Sequence, residues 1–372
     1  MSAGRHTLDA AVRLLRARQL AALIVYSDGS TNILRASRLR YFAGYAPLGP
    51  STAAIVTAGS AAILIVEPEW DRARAARHSW IETVIGTNSF SESLLGAIAR
   101  LGITGRVGLA GGREMPYPIY EALAAAVSLE TADDLIEEMA RTKSPAELER
   151  VRHAAAAADA GFEAFRRAAR AGVREYEIVA EVEYAMRLAG ADDNFILLST
   201  GPHNRAMRAP TDRRVEPGDI VIGEISPVIE GQFVQLCRTV SVGPPSAPLV
   251  AAYDLLLRAY TSSIARVRAG VPASVIATTI DDALTAAGYG EYCRAPYMRT
   301  RGHGFGVGSV APGALIDAET ANTLLPDQVV VVHPNQYLPE SGYLACGETH
   351  LVTVAGCERL ARTETKLWIN EA

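Results

Sequence analysis

The segment Arg301-Gly302-His303-Gly304-Phe305-Gly306 places one histidine among three glycines. Glycines crowded in this way let the backbone approach a neighbour closely or adopt a positive φ, and they commonly surround a functional side chain. Because an imidazole titrates near neutral pH, His303 is the leading candidate for proton transfer. A buried structural histidine is the alternative interpretation of the same residues.

Three more polar segments follow or open apolar runs. The valines of 329–332 lead directly into His333-Pro334, and the segment 346–350 (CGETH) opens the last predicted strand. The segment 199–208 (STGPHNRAMR) follows another strand and is rich in groups that bind anions or move protons. Polar residues at the ends of apolar strands commonly line a pocket, although a solvated loop would also explain 199–208.

Composition excludes several classes of protein. The chain has 372 residues and a net charge of −5, which gives no electrostatic footprint for nucleic acid. Its longest weakly polar stretch, 53–66, is shorter than the roughly 18 residues that a membrane helix needs. Residues 1–20 contain no uninterrupted apolar run of the signal-peptide type, so a cytoplasmic location is expected. The four cysteines lack CxxC spacing, which argues against a disulfide scaffold and a structural zinc site.

The pattern of helices and strands predicts two domains. Residues 1–140 alternate helices with short apolar strands, including a hairpin formed by 51–56 and 61–66, which is typical of a small α/β domain. Ser144, followed by Pro145 and Glu147, predicts the start of a long helix. Residues 144–372 then interleave helix pairs with groups of strands, which favours an α+β domain whose helices cover an antiparallel sheet.

The order of the motifs resembles the M24 peptidase and creatinase family, whose fold is known as the pita-bread fold. The matching segments are, in chain order, Tyr41 to Tyr45, Arg141 to Pro145, Thr200-Gly201, Pro217 to Asp219, Gly231 to Thr239, Gly302 to Gly304 and His333-Pro334. The resemblance covers almost the whole chain. It implies a pita-bread catalytic domain over 144–372, preceded by the smaller α/β domain over 1–140.

The resemblance also implies where metal ligands should lie. The metallopeptidases of the family hold two metal ions with Asp, Asp, His, Glu and Glu. The matching positions here are Glu224, Gln235, His303, His333 and Gly347, with Glu348 one residue beyond the last position. A neutral amide such as that of Gln235 cannot bridge two cations. The two accessory histidines of the family are also replaced here, one by Met207 or Arg208 and the other by Val310.

These replacements look like the creatinase-like branch of the family. They predict a metal-independent hydrolase, without a cofactor, that cleaves a C–N bond of a small amide, amidine or modified amino acid by His/Glu acid-base catalysis. His303 and Glu224 would be the leading acid-base pair, and His333 and Glu348 would be further catalytic groups.

Candidate residues for binding the substrate lie in two segments. His203, Arg205 and Arg208 could contact it from the glycine-containing segment, where a guanidinium group could pair with a carboxylate. Gln235 and Cys237 could contact it from the strand, and Cys237 could alternatively be a thiolate nucleophile or a small apolar filler.

Two other functions stay open at this point. Glu224, His303, His333 and Glu348 could together hold one divalent metal ion in a mononuclear, Xaa-Pro peptidase-like hydrolase. The chain could also be a non-catalytic binding protein. The sequence leaves open the substrate, the choice between hydrolysis and lyase chemistry, and which residue is acid or base.

The family resemblance implies one protein partner. It points to a homodimer in which the first domain of one subunit closes the site of the other. Arg35, Arg38 or Arg40 would then reach the partner's substrate. Neither a nucleic-acid partner nor a membrane is expected.

Overall fold

The computed structural model describes residues 3–30, 38–306, 308 and 315–371. The chain divides into two compact units, Met1–Arg141 and Thr142–Ala372, called here the N-terminal and C-terminal units. Within the described residues, no helix combines the length and the apolar character that crossing a membrane would require.

The N-terminal unit is a mixed α/β structure. Its helices and strands are, in chain order, α1 (Ala3–Ala17), β1 (Ala22–Ser27), α2 (Arg38–Ala43), β2 (Ser51–Thr57), β3 (Ala62–Glu67), α3 (Arg72–His78), β4 (Val84–Gly86), α4 (Phe90–Arg100), β5 (Arg106–Ala110), α5 (Tyr117–Ala126), β6 (Ser128–Thr131) and α6 (Asp133–Arg141), with 3₁₀ turns at Glu69–Asp71 and Gly112–Glu114. The described strands form one sheet in the order β4-β3-β2-β1-β5-β6. The predicted hairpin is present as the antiparallel pair β2–β3.

Branched apolar side chains hold this sheet together. Ile24 of β1 pairs with Ile55 of β2, and Ile55 pairs in turn with Ile63 of β3. All three side chains are buried in one core cluster beneath the sheet. Cross-strand pairs of β-branched residues stabilise a sheet by burying surface against each other.

The C-terminal unit is an α+β structure. Its helices and strands are, in chain order, α7 (Pro145–Ala168), α8 (Glu175–Leu188), β7 (Asp193–Gly201), β8 (Ile220–Ile229), β9 (Gln232–Phe233), β10 (Leu236–Val242), α9 (Ala247–Ile264), α10 (Ala273–Ala286), β11 (Gly302–Gly304), β12 (Val329–Val332), β13 (Gln336–Leu338), β14 (Gly342–Leu344), β15 (Gly347–Val352), β16 (Cys357–Arg359) and β17 (Trp368–Asn370), with a 3₁₀ turn at Gly290–Tyr292. The described strands of the main sheet follow the order β11-β12-β15-β10-β8-β7, with β9, β16 and β17 attached at its sides. The strands along this path pair antiparallel, and β13 and β14 form a separate antiparallel pair, as the predicted fold class requires.

Local chemistry accounts for the start of α7 and for its packing. Ser144 caps the helix, because its side chain accepts a hydrogen bond from the Glu147 amide while the Glu147 carboxylate accepts one from the Ser144 amide. Farther along α7, Phe165 lies so close to β8 that a Cβ on Gly223 would stand 2.8 Å from its ring. The glycine therefore lets the helix approach the strand that carries Glu224.

Two residues separate β9 from β10. β9 ends at Phe233, and β10 begins at Leu236. In the gap, the backbone N–H of Gln235 donates to the Thr349 hydroxyl at 2.8 Å, and that hydroxyl donates to the backbone carbonyl of Gln235 at 3.1 Å. A side chain thus replaces the strand partner at this point, and the pairing between β8 and β10 resumes at Leu236.

Replacing Gly223 with alanine should destabilise the C-terminal unit. The added methyl group would collide with the Phe165 ring, and overpacking of this kind costs about 1–3 kcal/mol. Gly356→Ala is the matched control, because no heavy atom lies within 4 Å of the added Cβ, and its effect should stay within about 0.5 kcal/mol. Urea unfolding followed by circular dichroism measures both. Equal stability of the two variants would contradict the packing described here.

Candidate active site

Strand register aligns Glu224, Cys237 and Gly347 across three strands of the main sheet, and the two histidines lie on β11 and directly after β12. Glu224 on β8 lies opposite Cys237 on β10, and Cys237 lies opposite Gly347 on β15. His303 on β11 pairs with Val331 on β12, and His333 follows the last residue of β12. The sheet thus forms two groups of candidate residues from segments that are far apart in sequence.

The two histidines lie side by side and are neutral. Their ring centroids are 5.7 Å apart, and the rings are only 5% and 7% exposed for His303 and His333. Within the described part of the chain, the Nδ1 atom of neither ring has a hydrogen-bond partner. Burial lowers the pKa of His303 to about 3 and that of His333 to about 4. At neutral pH, each imidazole can therefore both donate and accept a hydrogen bond.

Glu224 is a mostly buried carboxyl, and no cation among the described residues compensates it. Burial raises its pKa to about 7, because removal from water disfavours the charged form. Its side chain makes no hydrogen bond or ion pair with any other residue that the structure describes. A carboxyl group with a pKa near neutrality can accept a proton and return it during one reaction cycle.

Cys237 is fully buried beside Glu224. Its sulfur accepts hydrogen bonds from Gln235 Nε2 at 3.3 Å and from Asn335 Nδ2 at 3.5 Å. Burial raises the pKa of the thiol to about 12, and the neighbouring Glu224 adds to the increase. The sulfur is therefore protonated at neutral pH, which favours the filler interpretation over a thiolate nucleophile.

Glu348 does not join this cluster, contrary to the sequence prediction. It lies opposite Leu236, one residue from Gly347, and neighbouring residues of a strand point to opposite faces of a sheet. Its carboxylate instead forms ion pairs with Arg238 at 2.8 Å and Arg359 at 2.7 Å. Arg238 and Glu348 are both at most 1% exposed. Glu348 is thus half of a buried structural ion pair.

Gly347 holds a backbone position that excludes a side chain. Its φ is +137°, and a Cβ there would stand 2.2 Å from the Val332 carbonyl oxygen. This is the position that the family resemblance assigns to the last metal-binding glutamate. A glutamate here would require β12 and β15 to separate.

The donor set does not fit the metal ions that the family implies. Among the described residues, no group of three or more His, Cys, Asp and Glu side chains is arranged to hold a metal ion. Gln235 is a neutral amide directed at sulfur, and Gly347 supplies no donor. The alternative ligand set for one metal ion, which included Glu348, does not form either, because the Glu348 carboxylate pairs with Arg238 and Arg359.

A carboxylate that the sequence analysis missed organises the segment 199–208. Glu175 is fully buried at the start of α8, and its oxygens accept hydrogen bonds from the amide and hydroxyl groups of Thr200 and Thr211, at 2.6–2.9 Å. Burial alone would raise the pKa of Glu175, but these bonds outweigh it and hold the pKa below its usual range. The sequence shows only two threonines, Thr200 and Thr211, at either side of the segment 201–210.

The three basic candidates in this segment lie at the surface. Arg208 is 55% exposed and stands 3.7 Å from Glu175, and Arg205 is also exposed. His203 is exposed as well, and its ring contacts Tyr337 at 5.6 Å between centroids. Among the described residues, no hydrogen bond or ion pair joins any of the three to Glu224, His303 or His333.

The arginines predicted to reach a partner's site belong to the N-terminal unit. Arg38 is 14% exposed and pairs with Asp133 at 2.9 Å and Glu137 at 3.0 Å. Arg40 is partly buried on the same helix, α2. Arg35 lies outside the described residues.

Comparison with known proteins identifies the family. Residues 149–355 match the model of metallopeptidase family M24, which is more than half of the chain. The chain belongs to family M24. The prediction of an enzyme of this family is confirmed, since its members are peptidases, which hydrolyse C–N bonds.

Relatives and solved structures extend over both units. The Xaa-Pro dipeptidase of Pyrococcus horikoshii is 26% identical over 337 residues, which are 88% of this chain and 91% of that protein. The crystal structure of the X-Pro aminopeptidase from Thermotoga maritima has a TM-score of 0.85 at 22% identity and covers 98% of this chain and 99% of that one. The prolidase from Pyrococcus horikoshii also has a TM-score of 0.85, at 24% identity, and covers 97% and 99%. These likenesses confirm the predicted pita-bread fold.

The comparisons also correct two predictions. A metal-independent, creatinase-like hydrolase is the wrong assignment, because the chain matches a metallopeptidase family and its relatives are named Xaa-Pro dipeptidases. The prediction that no cofactor is needed is wrong for the same reason. Both errors came from giving the replaced ligands more weight than the similarity of the whole chain.

Glu348→Gln should strongly destabilise the protein. The substitution leaves Arg238 buried without a full counter-charge, and removing one partner of a buried pair costs about 3–5 kcal/mol. Glu358→Gln is the control, because its pair with Arg152 is about half exposed and should contribute less than about 1 kcal/mol. Thermal unfolding compares the two variants. A loss below about 1 kcal/mol in Glu348→Gln would mean that this carboxylate is not structural.

Glu224→Gln should instead stabilise the protein at alkaline pH. Folding raises the pKa of Glu224 from 4.5 to about 7, so the folded chain loses stability as the pH rises between these values. The uncharged variant avoids this loss and should gain up to about 3 kcal/mol at pH 8, with no difference below about pH 4.5. Urea unfolding at both pH values, with Glu358→Gln as the reference, measures the gain. A pH-independent difference would contradict an uncompensated carboxyl.

Proposed function

We propose that this chain is an M24 hydrolase that cleaves the C–N bond of small Xaa-Pro dipeptides. The observation that carries the proposal is Glu224, a carboxyl that pairs with no described residue and has a pKa of about 7, on the sheet whose strand β11 carries His303 and whose strand β12 leads into His333. The relatives named Xaa-Pro dipeptidases support the choice of substrate. The roles given below are those of this chain's own side chains, and they hold with or without a bound metal ion.

Glu224 acts first as the general base and then as the general acid. Its ionised carboxylate takes a proton from a water molecule, whose oxygen forms a bond to the carbonyl carbon of the scissile amide. When the tetrahedral intermediate collapses, the C–N bond breaks and the protonated Glu224 gives its proton to the prolyl nitrogen. A carboxyl whose pKa is near 7 suits both steps, because proton-transfer catalysis is most effective when the pKa lies near the working pH.

His303 and His333 supply neutral hydrogen-bond donors. The carbonyl oxygen becomes negatively charged in the tetrahedral intermediate and needs fixed donors in a site with little water. Two buried imidazoles whose Nδ1 atoms have no partner among the described residues can provide N–H groups without first releasing a bond. Their low pKa values keep them neutral, so their donor role does not change between pH 5 and pH 9.

Three earlier predictions are retained as proposals. Gln235, Arg205 and Arg208 would contact the substrate rather than transfer protons. The homodimer that the family resemblance implies and the cytoplasmic location are likewise proposals. Size-exclusion chromatography with light scattering tests the dimer.

Hydrolysis of Ala-Pro should depend on Glu224 and rise with pH. The base must be ionised, so kcat/KM should increase through about pH 7, and Glu224→Gln should lower kcat by about 10²–10⁴-fold. Proline release from Ala-Pro, measured with and without added Mn²⁺ or Zn²⁺, gives both quantities. Glu358→Gln, an exposed carboxylate, serves as the control with unchanged kcat.

Two results would overturn this proposal. Wild-type protein that releases no proline from any Xaa-Pro dipeptide under any of these metal conditions would remove the assigned substrate class. A Glu224→Gln variant with wild-type kcat would remove the assigned base.

A further inference from the structure

Four rings form a partly exposed aromatic surface in the C-terminal unit, called here the aromatic shelf (His203, Tyr292, Tyr297 and Tyr337). Tyr297 stacks on Tyr337, with ring centroids 5.4 Å apart and an angle of 24° between the planes. The Tyr292 ring meets Tyr297 at 4.9 Å, and the His203 ring meets Tyr337 at 5.6 Å, both edge to face. Tyr297 is 38% exposed, so the shelf presents ring surface to solvent.

The shelf is joined to the catalytic cluster through β13 and β14. Tyr337 of β13 pairs with Tyr343 of β14. Burial raises the pKa of the Tyr343 phenol, and the nearby Cys237 and Glu224 raise it further. On the other side of the cluster, Asn335 lies two residues before Tyr337 and donates to the Cys237 sulfur. The β13–β14 pair therefore links the shelf, through Tyr337 and Tyr343, to the surroundings of Cys237 and Glu224.

A buried amide fixes the shelf in place. Gln336 is fully buried, and its Nε2 donates to the Tyr292 carbonyl at 2.7 Å and to the Tyr337 carbonyl at 2.9 Å. The His203 ring is held from the other side, since its Nε2 lies 2.9 Å from the Pro339 carbonyl oxygen. These bonds hold the backbone that carries the tyrosines, and a surface fixed in advance loses little freedom when a ligand packs on it, which favours binding.

Exposed ring surface of this kind suits one chemical class of ligand. Aromatic rings pair by stacking or by edge-to-face contact, and such pairs add specificity beyond the burial of apolar area. We propose that the aromatic shelf binds the aromatic side chain of residue Xaa in an Xaa-Pro substrate. The inference rests on the proposed function and deepens it, because it predicts a preference for Phe-Pro over Gly-Pro.

The test compares the two dipeptides in three variants. Tyr297→Ala should raise KM for Phe-Pro by about 3–10-fold with kcat unchanged, while KM for Gly-Pro changes less than about twofold. Tyr297→Phe keeps the ring and should behave as wild type. Tyr176→Ala removes a tyrosine of similar exposure on α8 and should leave both KM values unchanged.

Direct binding separates failure of the shelf from failure of the proposed function. If wild-type protein cleaves neither dipeptide, the proposed function fails, and calorimetry then compares the Kd values of Phe-Pro and Gly-Pro. Tighter binding of Phe-Pro that is lost in Tyr297→Ala supports the shelf even then. The shelf proposal is overturned if the ratio of the two KM or Kd values is the same in wild type and Tyr297→Ala, or if wild type binds neither dipeptide.

Discussion

The alternation of side chains along β15 is the constraint on which the site depends. Gly347 lies opposite Cys237, on the face that carries Glu224, whereas Glu348 is one residue farther along. One step along a strand moves a side chain to the other face of a sheet. The negative charge of Glu348 is thereby removed from the cluster and serves instead to hold Arg238.

The consequence is a site that holds little net charge. Among the described residues no cation compensates the Glu224 carboxyl, and the imidazoles of His303 and His333 are neutral because they are buried. Gln235 and Asn335 direct their amide groups at a protonated thiol. In such an environment each remaining hydrogen bond is stronger than in water, and a group that finds no partner costs more. A substrate that supplies those partners would therefore be bound with high selectivity.

Local signals predicted the parts of this structure that local chemistry controls. The capping box at Ser144 and the hairpin β2–β3 follow from neighbouring residues, and both are present. The order of motifs gave the fold, and the strand order then placed His303 and His333 together. The ion pair of Glu348 could not be predicted, because it depends on strand register and on Arg359, which reaches it from another strand.

Glu175 and the aromatic shelf were not predicted because both depend on contacts between distant parts of the chain. Glu175 meets Thr200 and Thr211 only after α8 has docked beside the loop. The aromatic shelf joins three separate stretches of the chain, and none of them shows an aromatic motif by itself. The error about metal dependence has a different origin, since ligand positions were compared one by one while the similarity extended over 88% of the chain.

Glu224 is the central group of the site, since its pKa is about 7 and no described cation lies against it. The most direct measurement is a ¹³C NMR titration of protein labelled at the glutamate carboxyl carbons, with Glu224→Gln used to assign the resonance that disappears. This resonance should titrate near pH 7. Titration at the ordinary glutamate value of about 4.3 would contradict it, because the carboxyl would then be solvated or paired with a cation.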